Sequence, residues 1–100
     1  MLRIFTLSIL IVVASESAAA QCNIDALRGY SRQIARTTAT PSLNVRTAPN
    51  RSAPILGSLP PGSRVAVIRR SGQEWVEVVA ITPAPECAEV LGFVVRQFIR

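Results

Sequence analysis

Few side chains in this 100-residue sequence could do chemistry. Histidine is absent, and beyond the first 20 residues the acids are Asp25, Glu74, Glu77, Glu86 and Glu89. A carboxylate pair working as acid and base must flank the same substrate bond. Glu74 and Glu77 stand three apart on a segment that reads as a strand, where odd spacing sends side chains to opposite faces. No nucleophile lies beside a base that could activate it. The two cysteines, Cys22 and Cys87, are not in a Cys-x-x-Cys arrangement, and no imidazole is present to complete a zinc site. A non-catalytic protein with no cofactor and no metal is expected.

What the two cysteines do depends on where the chain resides. Arg3 precedes an apolar run over residues 4–14 that is broken only by Thr6 and Ser8. Ser15, Glu16 and Ser17 follow, and then Ala18-x-Ala20. That order reads as a secretory signal peptide over residues 1–20, cleaved before Gln21. A membrane-spanning helix needs about 20 apolar residues, roughly twice this run. The mature chain is therefore expected without a transmembrane segment, in the periplasm or secreted. Cys22 just past the run could carry a lipid anchor, but the bulky Gln21 before it argues against a lipoprotein site. In an oxidising compartment two cysteines in a small domain usually pair. A Cys22–Cys87 bridge would contribute about 4 kcal/mol on the chain-entropy model.

All eleven basic residues are arginines, and the net charge is +5. Cleavage would remove Arg3 together with Glu16, so that balance persists in the mature chain. Such a field attracts anionic envelope polymers or phospholipid head groups; the plainer alternative is a solvated basic surface. No nucleic-acid partner is implied.

These side chains must be held by elements legible in the pattern. Residues 21–41 are weakly organised: Ile24, Leu27 and Ile34 have a loosely helical spacing, with Asn23 available as an N-cap and Gly29 interrupting. The run Thr37-Thr38-Ala39-Thr40-Pro41 reads as a linker, so residues 21–41 are expected to form an N-terminal arm. From residue 42 to 100 short apolar alternations separated by turn residues predict a small all-β domain. Leu43 and Val45 alternate with Asn44 and Arg46, and residues 47–54 are too rich in Pro and Asn for regular structure. Strands follow over 55–59, 64–70, 74–80 and 90–95. Pro60-Pro61-Gly62-Ser63 and Ser71-Gly72-Gln73 supply turns, residues 81–89 a longer connection, and residues 96–99 a terminal turn or short strand. Val65, Val67, Val76 and Val78 should point inward, with Trp75 and Glu77 sharing the other face.

Five stretches in this order carry a family resemblance: Leu43-Asn44-Val45-Arg46-Thr47-Ala48-Pro49-Asn50, Ile55-Leu56-Gly57-Ser58-Leu59-Pro60-Pro61-Gly62, Arg64-Val65-Ala66-Val67-Ile68, Glu74-Trp75-Val76-Glu77-Val78 and Gly92-Phe93-Val94. Together they resemble a bacterial SH3-like domain over about residues 42–99. The resemblance implies an SH3-like barrel of five to six short strands, found on exported bacterial proteins and often associated with cell-wall binding. Two departures stand out. Phe93 replaces the family's usual Trp, which it is expected to match as an aromatic in the core, and the 81–89 connection is long and carries a cysteine. Relatives that attach lytic enzymes to peptidoglycan do so beside a catalytic domain, and none is expected in this chain.

The groove the resemblance implies lies between the irregular 47–54 loop and the hairpin carrying Trp75, with Asn44, Arg46, Asn50, Arg51 and Trp75 as candidate ligand-binding residues. Trp75 would supply flat apolar area with one N–H, and the arginines bidentate donors for carboxylates. Against this stands a purely structural role, with Trp75 capping the barrel. Two functions follow as expectations: a binding module for cell-wall (peptidoglycan) peptide or another envelope ligand, or an interaction or inhibitory subunit docking on an envelope protein through its barrel edge.

Overall fold

A computed structural model describes residues 22–100; the expected leader and its cleavage site lie outside them. The strands are β1 (Ile34–Arg36), β2 (Leu43–Arg46), β3 (Ile55–Leu59), β4 (Arg64–Ser71), β5 (Trp75–Ile81) and β6 (Glu89–Val95). They form one six-stranded sheet in the order β1-β4-β5-β6-β2-β3, and each pairing is antiparallel. A 3-10 helix, Ile24–Gly29, precedes the sheet, and another, Arg96–Phe98, follows it.

β4 and β5 are rich in β-branched residues, which suit a pleated surface. They form a hairpin whose turn needs Gly72, held at φ +69° where a side chain would be strained. Register shifts between Val67 and Arg69, so Ile68 is an extra residue. Such a bulge rephases a strand. Before it Val65 and Val67 face the interior; after it Arg70, rather than Arg69, stands opposite the buried Val76.

The curl of the sheet gives one shared interior, filled by Val45, Leu59, Val65, Val76, Val78 and Val94, all at most 2% exposed. At the β2–β6 crossing a Cβ on Gly92 would lie 2.6 Å from Val45 Cγ1 and 2.7 Å from the Arg46 carbonyl oxygen. Only glycine lets the two backbones approach this closely.

The outer strands β1 and β3 are not paired to each other. Thr37 ties that end instead. Its N–H donates to Ser63 O at 2.8 Å and its carbonyl accepts from Gly62 N–H at 2.7 Å. Its hydroxyl donates to Pro60 O at 2.8 Å and accepts from Ser63 N–H at 3.0 Å. This buried threonine is thus fully satisfied, as burial requires. Ile99 bridges Thr37, while Arg36 and Arg100 exchange backbone bonds at 2.9 Å.

Residues 22–41 are therefore woven into the domain, which corrects the expected arm and linker. The 3-10 helix ends on Gly29, so the glycine does not interrupt it, and Asn23 makes no side-chain cap bond. Ile34–Arg36 adds a strand beside β4, and Ala39 is buried in the interior. Leu27 drives this arrangement: at 1% exposure it packs with Cys22, Ala66, Val79 and Ile81 on the outer face of the sheet. Cys22 and Cys87 are joined by a disulfide across 65 residues, with Cα atoms 5.5 Å apart.

Candidate functional site

Two hollows flank Trp75. One, of about 200 Å³, is lined by Leu43, Asn44, Arg46, Arg51, Val95 and Phe98 in addition to Trp75 itself. The other, of about 410 Å³, lies between Pro49 of the irregular loop and the 71–74 turn. The loop and the hairpin are thus brought to either side of one aromatic ring. The elements responsible are β2, which delivers Asn44 and Arg46 on alternate positions, and β5, whose first residue is Trp75, paired with Ser71 and Val95.

The candidate residues divide by what they already hold. Arg46 donates from Nη1 to the Ala53 carbonyl at 2.9 Å and pins the loop to the sheet. Asn44 Oδ1 accepts from the Ser58 hydroxyl at 3.1 Å, linking β2 to β3. Asn50 Oδ1 accepts from the N–H and the hydroxyl of Ser52, at 3.0 and 2.9 Å. This is the local turn bonding expected of asparagine, and Asn50 does not line the 200 Å³ hollow. Arg51 makes no hydrogen bond or ion pair among the described residues and is exposed at the rim, its guanidinium free for a bidentate contact.

Trp75 is only 6% exposed. It lies on the outward face of β5, as its alternation with Val76 requires, and forms a covered wall, which fits the capping role set against a binding one. Phe93 differs from expectation. It is half-buried on the outer face, between Arg46 and Glu77 in register, and does not fill the interior. Gly92 and Val94 are the residues of that stretch that face inward.

Two of the acids are held by protein partners. Glu77 accepts from Arg69 Nε at 2.8 Å in the one ion pair among the described residues. Glu89 accepts from the Tyr30 hydroxyl. That hydrogen bond, and then the carboxylate charge, hold the Tyr30 pKa above its ordinary value. Among the described residues no group of three His, Cys, Asp or Glu could hold a metal ion, and no helix is long and apolar enough to cross a membrane.

Residues 41–84 match the family described as bacterial SH3 domain, a family of binding modules. No curated protein and no solved structure matches the chain. The matched stretch runs from the approach to β2 through β5 and includes the irregular loop, the hairpin and Trp75. Residues 41–84 are thus similar to a bacterial SH3 domain, and the curled antiparallel sheet that holds them, together with β1 and β6, is consistent with an SH3-like fold.

Proposed function

We propose that this protein is an exported, non-catalytic binding module, working in the periplasm or outside the cell, that holds cell-wall (peptidoglycan) peptide in the hollow beside Trp75. The carrying observation is Arg51, a guanidinium without a partner among the described residues, at the rim of a hollow walled by Trp75 and Phe98. A carboxylate-ended peptide fits that pairing of a bidentate donor with apolar walls. Export is supported by the leader pattern and by the disulfide, which suits an oxidising compartment. The disulfide also supports a chain without a lipid on Cys22, because a sulfur bonded to Cys87 could not carry a thioether as well.

Retention of the purified protein on isolated sacculi is the test. Since Trp75 is buried, truncating it would disturb the fold, and Arg51→Gln is the cleaner variant. Arg51→Gln should lower retention about tenfold, the loss typical of a charge-assisted contact, with the circular dichroism spectrum unchanged. Absence of retention by the parent protein, or equal retention by the variant, would overturn the reading.

A further inference from the structure

On a different part of the surface, β4 has an edge with which no strand pairs among the described residues. β1 pairs with β4 only through Ile34↔Ala66, Ala35↔Val65 and Arg36↔Arg64, and one further bond runs from Val67 N–H to Gln33 O at 2.8 Å. β4 continues to Ser71, and among the described residues its strand neighbours are β1 and β5 alone. From Ile68 to Ser71 the side away from β5 therefore has no strand beside it. An exposed strand edge presents unpaired backbone donors and acceptors and serves as a template for another strand.

Beside that edge lies a groove of about 420 Å³. Its apolar lining includes Ala35, Val67, Val76 and Ile99, while Arg69, Arg70, Arg96 and Arg100 supply charge; no acidic residue lines it. Arg69 is paired to Glu77, and Arg96 donates from Nε to Gln73 O at 3.1 Å. The side chains of Arg70 and Arg100 make no hydrogen bond or ion pair among the described residues. Arg70 is placed here by the Ile68 bulge, which turns it to the Val76 side. The groove shares no lining residue with the hollows beside Trp75.

We infer that this groove is a second binding site, which takes an extended acidic segment of a protein partner as an added strand along Ile68–Ser71. Its acidic side chains would meet Arg70 and Arg100, and alternate apolar side chains would rest on the half-buried Ile99 and the edge of Val67. Strand addition draws affinity from main-chain bonds and specificity from alternate side chains. Charge complementarity selects an acidic segment over a basic one. A simple phosphate would satisfy the arginines but would use neither the apolar floor nor the open backbone edge, which is why the peptide is favoured.

The test uses the full protein with its disulfide intact and a synthetic probe, acetyl-Glu-Val-Glu-Val-Glu-Val-amide. Binding should move the amide resonances of Ile68, Arg69, Arg70 and Ser71. Arg70→Gln with Arg100→Gln should weaken it about tenfold, whereas Arg28→Gln with Arg64→Gln, an equal loss of charge outside the groove, should change it less than twofold. The same peptide N-methylated on alternate residues, unable to form the ladder on one edge, should also lose affinity.

Several results would overturn the inference: equal weakening by both double variants, equal binding of the Lys-for-Glu peptide, or tripolyphosphate binding that moves these resonances while the peptide does not. So would unchanged peptide affinity in a groove variant that now self-associates, because the arginines would then only be guarding an edge. None of these outcomes bears on Arg51 or sacculus retention, so the two sites fail independently.

Discussion

Two apolar clusters lie on opposite faces of the β4–β5 hairpin, and they are held in different ways. The inner cluster draws on β1, β2, β3, β4, β5 and β6, and the curl of the sheet encloses it. The outer cluster is smaller: Ala66, Val79 and Ile81 are covered by Leu27 of a six-residue 3-10 helix, and that cover is bonded at Cys22 to the β5–β6 loop. A short 3-10 helix has poor hydrogen-bond geometry and little stability of its own. The contrast indicates that the interior is self-sufficient, whereas the outer face relies on a covalent clip. It also explains why β5, Trp-Val-Glu-Val-Val-Ala-Ile, is apolar almost throughout: both of its faces are buried.

The sharpest way to break this comparison is to remove the clip. Cys22→Ser with Cys87→Ser should cost about 4 kcal/mol in urea unfolding, from the restored freedom of a long loop. Hydrogen exchange should show Leu27 and its neighbours losing protection before Val78 and Val94 do. A loss below about 1 kcal/mol, far under the usual range, would mean that the outer cluster holds itself.

Next in size is a matched pair, Leu59→Ala and Leu27→Ala, measured with the disulfide intact. Both leucines are at most 1% exposed. Leu59 should cost about 3–4 kcal/mol and Leu27 about 2, because a thin cover collapses onto a cavity more easily than an enclosed interior does. Equal costs would erase the distinction. Gly92→Ala, which forces a methyl against Val45 and the Arg46 carbonyl, should cost about 1–3 kcal/mol by overpacking. It should act on the interior while leaving protection around Leu27 in place.

The smallest effect concerns the exposed contact at the rim of the outer face. Tyr30 is the one tyrosine in the sequence, so its ionisation can be followed by ultraviolet absorbance. Its pKa is raised above the ordinary 10.0 by the bond to Glu89 and then by that carboxylate's charge. The contact's contribution is therefore fully present below pH 10 and fades as pH rises through the raised value. Glu89→Gln should bring the midpoint down towards the ordinary value. An unmoved midpoint would mean that Tyr30 does not dock on β6 in solution.

Periodicity made most of the sheet readable. Strands expected at 55–59, 64–70, 74–80 and 90–95 appear as Ile55–Leu59, Arg64–Ser71, Trp75–Ile81 and Glu89–Val95, because period-two apolar patterning and Gly-Pro turns are local signals. β1 escaped because three residues, Ile34-Ala35-Arg36, are too short to show a period; only pairing with β4 makes them a strand. The threonines after it read as linker, yet Thr37 is buried because four groups around Pro60 and Ser63 satisfy it. Of the candidate site, the chain order pointed to Trp75 and the irregular loop, which the fold brings side by side. It could not show that Arg46 and Asn50 spend their polar atoms on the loop while Arg51 keeps its own.

By itself the sequence determined the class of fold, the turns, the inward valines and the two cysteines available to pair, since these depend on residue type and near-neighbour spacing. The tertiary structure alone decided the bulge at Ile68, the burial of Trp75, the cover over Val79 and the bare edge beside Arg70. Each of those depends on which distant backbone lies alongside, and that is set by the summed packing of the whole sheet.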